Sequence, residues 1–382
     1  METMQAIWIY GIIFASLSIF PSFLHYIRCL YYSRKDILSK KSDFTPDITI
    51  LLPVKDEELV IKDKLQEIFS MNYPLENISL IIIDSKSRDK TIEVAEDFLK
   101  NQDIIDYNIC IIDRPGKSIA VNHALDLIKT EFFVMMDAEA ILQSSSLKKL
   151  VRWFSDDNIG AVCGQLMPEK DDLDLDYRKH YNILRLGESA INSTPIFEGS
   201  ICAFRISALK GKINENINSD DTQMSLLSIK NGFRSIMDRN IIFIEPPTEG
   251  KNRRTRQLRR SQGLIRTLMM NWDMSLKSNI KLIYLHTFFF HIIMPWLFSL
   301  SIICLFISTY LSISDYGFIV LDKFKLSFII FIVLCTLNFF RNFIFGITVL
   351  IQAQLLLLFG VKLHVWETNR DLREKSKVLR KK

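Results

Sequence analysis

Phe132-Phe133-Val134-Met135-Met136-Asp137-Ala138-Glu139-Ala140-Ile141-Leu142 sets an apolar run of strand length against an abrupt acidic stop. Asp137 ends the run and Glu139 follows two residues later, so in an extended chain both side chains leave on the same side. Two carboxylates held together repel each other unless a positive charge lies between them. A hard divalent cation with open positions for phosphate oxygens meets that need. The plain alternative is a strand ending in a solvated acidic turn. Acid-x-acid triplets are common, so the metal reading takes its weight from the rest of the chain.

Around this stretch, from Asp47 to about Pro247, short apolar runs alternate with amphipathic segments. Ile48–Val54, Leu80–Ile83, Asn108–Ile112 and Phe132–Met136 read as strands. Leu59–Met71, Thr91–Leu99 and Ser118–Ile128 read as helices between them. Continuous apolar strands with helical crossovers predict an α/β fold with a mostly parallel sheet covered by helices on both faces. Ligands of such sheets bind at the carboxyl ends of the strands, where Lys55, Asp56, Glu57, Asp84 and Asp137 fall.

The 382 residues suffice for a sizeable core plus membrane segments, and the 27 Phe residues are concentrated toward the ends. A net charge of +5 carries no global nucleic-acid signal. The six cysteines form no Cys-x-x-Cys and suit a reducing compartment; the histidines show no zinc-ligand spacing.

Ala6–Ile27 is apolar, uncharged and long enough to cross a bilayer, and it lacks a basic leader and a cleavage site, so an uncleaved anchor is expected. Arg28, Arg34, Lys35, Lys40 and Lys41 follow, which places what comes after on the cytoplasmic side. Near the other end a basic stretch from Lys251 to Arg266 merges with Leu264, Ile265, Leu268, Met269, Met270 and Trp272, an amphipathic segment suited to a membrane surface or to flanking a span. Leu282–Tyr310 reads as a span; Leu326–Gly360, interrupted by Arg341-Asn342, is one bent span or two short ones. The expected organisation is an anchor and basic linker (1–43), a catalytic domain (44–250), a basic interfacial segment (251–281), transmembrane helices (282–361) and a basic cytoplasmic tail (362–382).

The catalytic stretch resembles the membrane-anchored family 2 glycosyltransferases of GT-A, Rossmann-like fold, from about Thr49 to Gly263. Thr49 to Glu58, with Pro53 and Glu57, looks like the opening strand and acidic loop, and Ile81 to Thr91, with Asp84, like the nucleotide-binding loop. Pro115-Gly116-Lys117 through Leu125 is similar to the Gly-Lys helix, and Asp137-Ala138-Glu139 to the Asp-x-Asp metal motif. Phe197-Glu198-Gly199-Ser200 resembles the segment beneath the acceptor, and Ser219-Asp220-Asp221 the Thr-Glu-Asp motif. Processive synthases carry Gln-x-x-Arg-Trp where this chain has Gln257-Leu258-Arg259-Arg260-Ser261, which implies short products.

The resemblance implies a role for each residue. Asp137 and Glu139 hold Mg²⁺ or Mn²⁺ on the diphosphate of a UDP- or GDP-sugar. Pro53, Glu57, Asp84, Lys117, Arg259 and Arg260 serve the donor; Glu198, Gly199 and Gln257 serve the acceptor. Asp221, its pKa raised by Asp220, is the general base of a single inverting displacement. Acids at a helix start also have a purely structural use, as first-turn charges. The acceptor is a lipid-linked or membrane-associated glycan, and the expected setting is a multi-pass protein of the plasma membrane, alone or with other glycan-assembly proteins. Two other readings stay open: a processive polysaccharide synthase, told apart by product length, and a catalytically silent nucleotide-sugar-binding scaffold, indifferent to Asp221→Asn.

Overall fold

The computed structural model describes residues 1–37, 39, 42–102, 106–167, 175–246, 250–317, 319–363 and 370–380. Lys40 and Lys41 of the basic linker and Pro247 at the end of the strand-and-helix region lie outside them. The chain divides into two compact units: 1–28 with 284–362, and 29–283 with 363–382.

The second unit is built on an eight-stranded mixed sheet ordered β3-β2-β1-β4-β7-β6-β8-β5. Its strands are β1 (Ile48–Val54), β2 (Ile78–Asp84), β3 (Asp106–Ile111), β4 (Phe132–Met136), β5 (Ile141–Leu142), β6 (Ile159–Leu166), β7 (Ile201–Arg205) and β8 (Arg234–Ile244). The half formed by β3, β2, β1 and β4 is parallel, as the apolar runs require. Beyond β4 the order turns mixed, because β7 runs antiparallel to both β4 and β6. β6 and β8 pair in parallel again, so the expected mostly parallel sheet is interrupted only where β7 and β5 pair antiparallel with their neighbours.

Strand alternation distributes the core to two faces. From β1, Ile48, Ile50, Leu52 and Val54 pack against Ile61, Leu65 and Ile68 of α2 (Ile61–Phe69) and Ala95 and Leu99 of α3 (Thr91–Leu99). Leu51 points the other way, toward Ala120, Val121 and Ala124 of α4 (Lys117–Leu125) and Met224 of α7 (Asp220–Lys230). Pro53 is tolerated in a buried strand because the ladder with β4 stops at Leu51, so no partner awaits its missing N–H on that side.

Two longer helices complete this unit: α6 (Leu175–Ile191), and α8 (Gly250–Met270), which occupies the basic stretch. The short α5 (Ser146–Val151) and α9 (Met274–Lys277) lie between strands and after α8. In α8, Leu258, Ile265 and Leu268 are buried in protein, whereas Met269 (59% exposed), Met270, Trp272 and Leu276 face outward. The apolar face expected to meet a membrane is thus split, and only its C-terminal part is available for one. Gly187 in α6 lies directly on the end of α1 (Glu2–Tyr32): a Cβ there would stand 2.3 Å from the Cys29 carbonyl oxygen. Gly187→Ala is expected to lower the unfolding midpoint of the detergent-solubilised protein, by roughly 1–3 kcal/mol of overpacking, since the obstacle is backbone. An unchanged midpoint in a thermal melt would show that α1 and α6 separate at little cost.

The first unit is helical. It contains most of α1, the part of α10 (Lys281–Phe288) from Tyr284 onward, a π-helical turn at Phe289–Ile293, α11 (Met294–Tyr316), α12 (Lys323–Thr336) and α13 (Asn338–Leu358). Among the described residues three helical stretches are long and apolar enough to cross a membrane: Glu2–Tyr32, Lys281–Tyr316 and Asn338–Leu358. Leu326–Gly360 resolves into two helices that break at Leu337, and at 1.5 Å per residue the 14 residues of α12 reach roughly 21 Å, short of a straight crossing. The last helix, α14 (Arg370–Arg380), belongs to the sheet-containing unit.

Candidate active site

The chemistry collects where β1, β2 and β4 end. The first two loops are interlocked by side chains closing on backbone. Asp84 accepts from the Ser87 amide (3.1 Å) and hydroxyl, Asp56 Oδ1 accepts from the Arg88 amide (2.7 Å), and Asp89 accepts from the amides of Glu58 and Thr91. Burial raises the Asp84 pKa, and the Ser87 hydrogen bonds oppose that rise. Asp56 and Lys86 adopt positive φ, of 51° and 62°, to make these turns.

β4 stops at Met136, and Asp137-Ala138-Glu139 forms a turn rather than the extended continuation expected. The two carboxylates consequently meet different partners. Asp137 Oδ1 accepts from Lys117 Nζ at 2.7 Å, and its amide donates to the Ser200 carbonyl. Glu139 gives Oε1 to Arg256 (3.1 Å) and Oε2 to Arg373 of α14 (3.0 Å). Arg373 also donates through Nε and Nη2 to both oxygens of Glu57, which is 3% exposed. Burial pushes the Glu57 pKa up, and Arg373 pulls against it.

Lys117, at the first turn of α4, joins the two halves of the site: besides Asp137 it lies 3.5 Å from Asp220 Oδ2. Burial alone would lower its pKa, but Asp137 and Asp220 outweigh burial and keep the ammonium charged. Asp220 and Asp221 occupy the first turn of α7, and Ser219 makes no side-chain cap there. Asp221 is pushed up to about 7, first by burial and then by the Asp220 charge. Gly199 makes room for it, since a Cβ at 199 would lie 2.8 Å from Asp221 Oδ2. Gly199→Ala is expected to displace that carboxylate and lower kcat by about tenfold to a hundredfold while leaving the donor KM near its original value. Equal kcat in the two proteins would remove Asp221 from the reaction.

Glu198, which the resemblance gives to the acceptor, lies 3.6 Å from Arg178. Gln257 and Arg259 are half-buried on α8; Arg260, more exposed, stands 3.9 Å from Glu245. Arg256 of this helix reaches deepest, contacting both Glu139 and Glu245 at 3.1 and 3.0 Å. Burial would raise the Glu245 pKa, but Arg256 and Arg260 outweigh it and hold the group well below the usual carboxylate range. Ser200 donates to Glu245 and contacts Asp137 Oδ2 at 3.4 Å.

Glu245, Arg256 and Arg373 escaped sequence reasoning. Glu245 had a signal, because it follows the apolar run Ile241–Ile244 as Asp84 and Asp137 follow theirs. Arg256 was one of many cations in its stretch. Nothing in the tail set Arg373 apart.

Asp137 and Glu139 supply hard oxygen donors at one strand end, and no group of three His, Cys, Asp or Glu suited to a metal occurs among the described residues. That set fits Mg²⁺ or Mn²⁺, which is commonly held by one or two carboxylates and completed by substrate phosphates and water.

Residues 49–217 match the family model described as Glycosyl transferase family 2. A Methanococcus voltae dolichyl N-acetyl-α-D-glucosaminyl phosphate 3-β-D-2,3-diacetamido-2,3-dideoxy-β-D-glucuronosyltransferase is 28% identical over 107 residues, 28% of this chain and 33% of that protein. The poly-β-1,6-N-acetyl-D-glucosamine synthase of Staphylococcus epidermidis is 24% identical over 216 residues, 54% of this chain and 49% of that protein. The chain thus spans about a third and a half of these curated relatives. A solved mannosyltransferase from Pyrobaculum calidifontis, in complex with GDP-Man and Mn²⁺, superposes with a TM-score of 0.81 at 22% identity, covering 93% of this chain and 99% of that one. That likeness is one of fold. The ordered motifs, the sheet that carries them and the match over 49–217 agree: this stretch of the chain is similar to glycosyl transferase family 2, on a GT-A fold.

Proposed function

We propose that this chain is an inverting, divalent-cation-dependent glycosyltransferase that moves a sugar from a GDP- or UDP-sugar to a lipid-linked or membrane-associated glycan. One observation carries the reading: Lys117 links Asp137, at the leaving-group end, to the Asp220–Asp221 pair at the other, and Asp221 is raised to about 7. Transfer needs the departing diphosphate stabilised, the acceptor hydroxyl in line and its proton removed. Asp137 and Glu139 would hold the cation, which supplies Lewis-acid stabilisation of the diphosphate. Lys117 keeps Asp137 oriented, and Asp221 takes the acceptor proton from the pocket that Gly199 leaves open. With no separate nucleophile, one displacement inverts the anomeric carbon.

The membrane acceptor is supported by the apolar helices on the same chain and by exposed Met269, Met270, Trp272 and Leu276, which suit a lipid interface with the catalytic domain on its cytoplasmic side. The Methanococcus relative, named for action on a dolichyl-linked sugar, and the structural relative solved with GDP-Man and Mn²⁺ support the lipid-linked acceptor and the donor class. The test is transfer in membranes carrying the expressed chain, with labelled GDP- and UDP-sugars and Mn²⁺ or chelator. Cation-dependent label in a lipid fraction supports the reading. Label confined to free soluble sugars refutes the acceptor, and a ladder of long products would favour a processive synthase despite Ser261.

A further inference from the structure

The tail is read from sequence as a basic cytoplasmic extension, and in the structure α14 presents one face inward: Arg373, Ser376 and Arg380 fall at i, i+3 and i+7, with Leu372 beside them. That face is almost wholly polar, and what it grips is the turn that carries Glu139. Ser376 Oγ donates to the Glu139 carbonyl at 2.9 Å, and Arg380 Nη2 donates to the carbonyls of Ala138 (2.9 Å) and Ala140 (2.8 Å). Arg380 is itself held by Glu67 at 2.5 Å. A basic tail bound only by general attraction to acidic surface would not pair two side chains with three successive backbone carbonyls of one loop.

Arg373 is the residue of this face that meets the carboxylates of Glu57 and Glu139. Nε and Nη2 are committed to Glu57, a bidentate grip that fixes the plane of the guanidinium. Nη1 reaches the carboxylate of Glu139, the residue that the proposed function gives to the cation. Were a cation and a donor diphosphate to occupy that end of the site, Glu139 would be drawn to the cation, Glu57 would still hold the other side of Arg373, and Nη1 would be available to phosphate oxygens. Glu57 is buried and both its oxygens accept from Arg373, an arrangement that serves to aim a guanidinium and does not suit contact with a nucleotide base.

We propose that Arg373, delivered by the C-terminal helix, is a donor-diphosphate-binding residue of this site, with Glu57 as its positioning residue. The inference rests on the donor reading above and reassigns Glu57 within it. A guanidinium there opposes the charge that builds on the leaving diphosphate, as do the cation and Lys117.

The test is nucleotide binding to the full chain in detergent with Mn²⁺, measured by displacement of labelled nucleotide, for GDP and UDP against GMP and UMP. Removing a charge-assisted contact to the second phosphate, Arg373→Ala is expected to weaken diphosphate binding about tenfold or more, with monophosphate binding changed less than about threefold. Arg373→Lys should recover part of the loss. Because Arg373→Ala strands the buried Glu57 charge, the paired Glu57→Gln, Arg373→Gln protein removes both charges together and should show the same selective loss. A parallel fall in mono- and diphosphate affinity would make Arg373 structural and overturn the proposal. So would unchanged or tighter diphosphate binding, which would mean that Arg373 merely competes with the cation for Glu139. If the unsubstituted chain bound neither GDP nor UDP, the donor reading itself would fall and the inference with it. Normal binding by that chain beside an indifferent Arg373→Ala overturns the inference alone.

Discussion

Asp221→Asn should abolish transfer while leaving donor binding intact, a fall in kcat of about 10²–10⁴ in membranes supplied with the labelled donor. The amide matches the carboxylate in shape and keeps the Gly199 pocket filled, so loss of the base is separated from loss of structure. The pH dependence sharpens the expectation. Burial and Asp220 raise the Asp221 pKa to about 7, and a base works only when ionised. kcat/KM should therefore rise with pH through about 7 and level off above it. Asp220→Asn removes the second cause of that shift, so its acid limb should move to lower pH with part of the activity retained. A limb that stays in place in Asp220→Asn would show that another group controls it, and undiminished turnover in Asp221→Asn would eliminate this carboxylate as base.

The second large effect belongs to Asp137. Asp137→Asn removes the charge that Lys117 and the cation share, and kcat/KM should fall by about 10³, the scale of a lost leaving-group cation worth several kcal/mol. Chelator should reproduce most of that loss in the unsubstituted protein and add little to the variant. Lys117 stays near Asp220 in the variant, so the fold of α4 against α7 is expected to survive. Unaltered, chelator-sensitive transfer by Asp137→Asn would place the cation elsewhere.

What local physics controls was readable from the chain alone. Ile48–Val54 and Phe132–Met136 are strands at the residues where their apolar runs begin and end, and Thr91–Leu99 is a helix at its expected limits, because periodicity and burial act over a few neighbours. The acids at the strand ends were legible for the same reason: a carboxylate stops an apolar run wherever the sheet meets solvent. The likeness to a glycosyltransferase family lay in such local motifs and in their order.

Tertiary structure decided which charge faces which. Asp137 and Glu139, two residues apart, are sent by a turn to separate partners, Lys117 at 20 residues' distance and Arg373 at 234. Arg256 rather than Arg259 meets the carboxylates because the docking of α8 sets which of its sides faces the sheet, and neither composition nor periodicity distinguishes arginines in a basic run. Glu57 changes from a loop acid into the buried anchor of a guanidinium only because the last helix returns to β1. Charge pairing depends on distance through space, and folding brings together groups that the sequence holds far apart. The sequence by itself therefore determined strands β1 to β4, the membrane-length helices and the likeness to a glycosyltransferase family. The fold alone determined the network that tunes Asp221 and delivers Arg373.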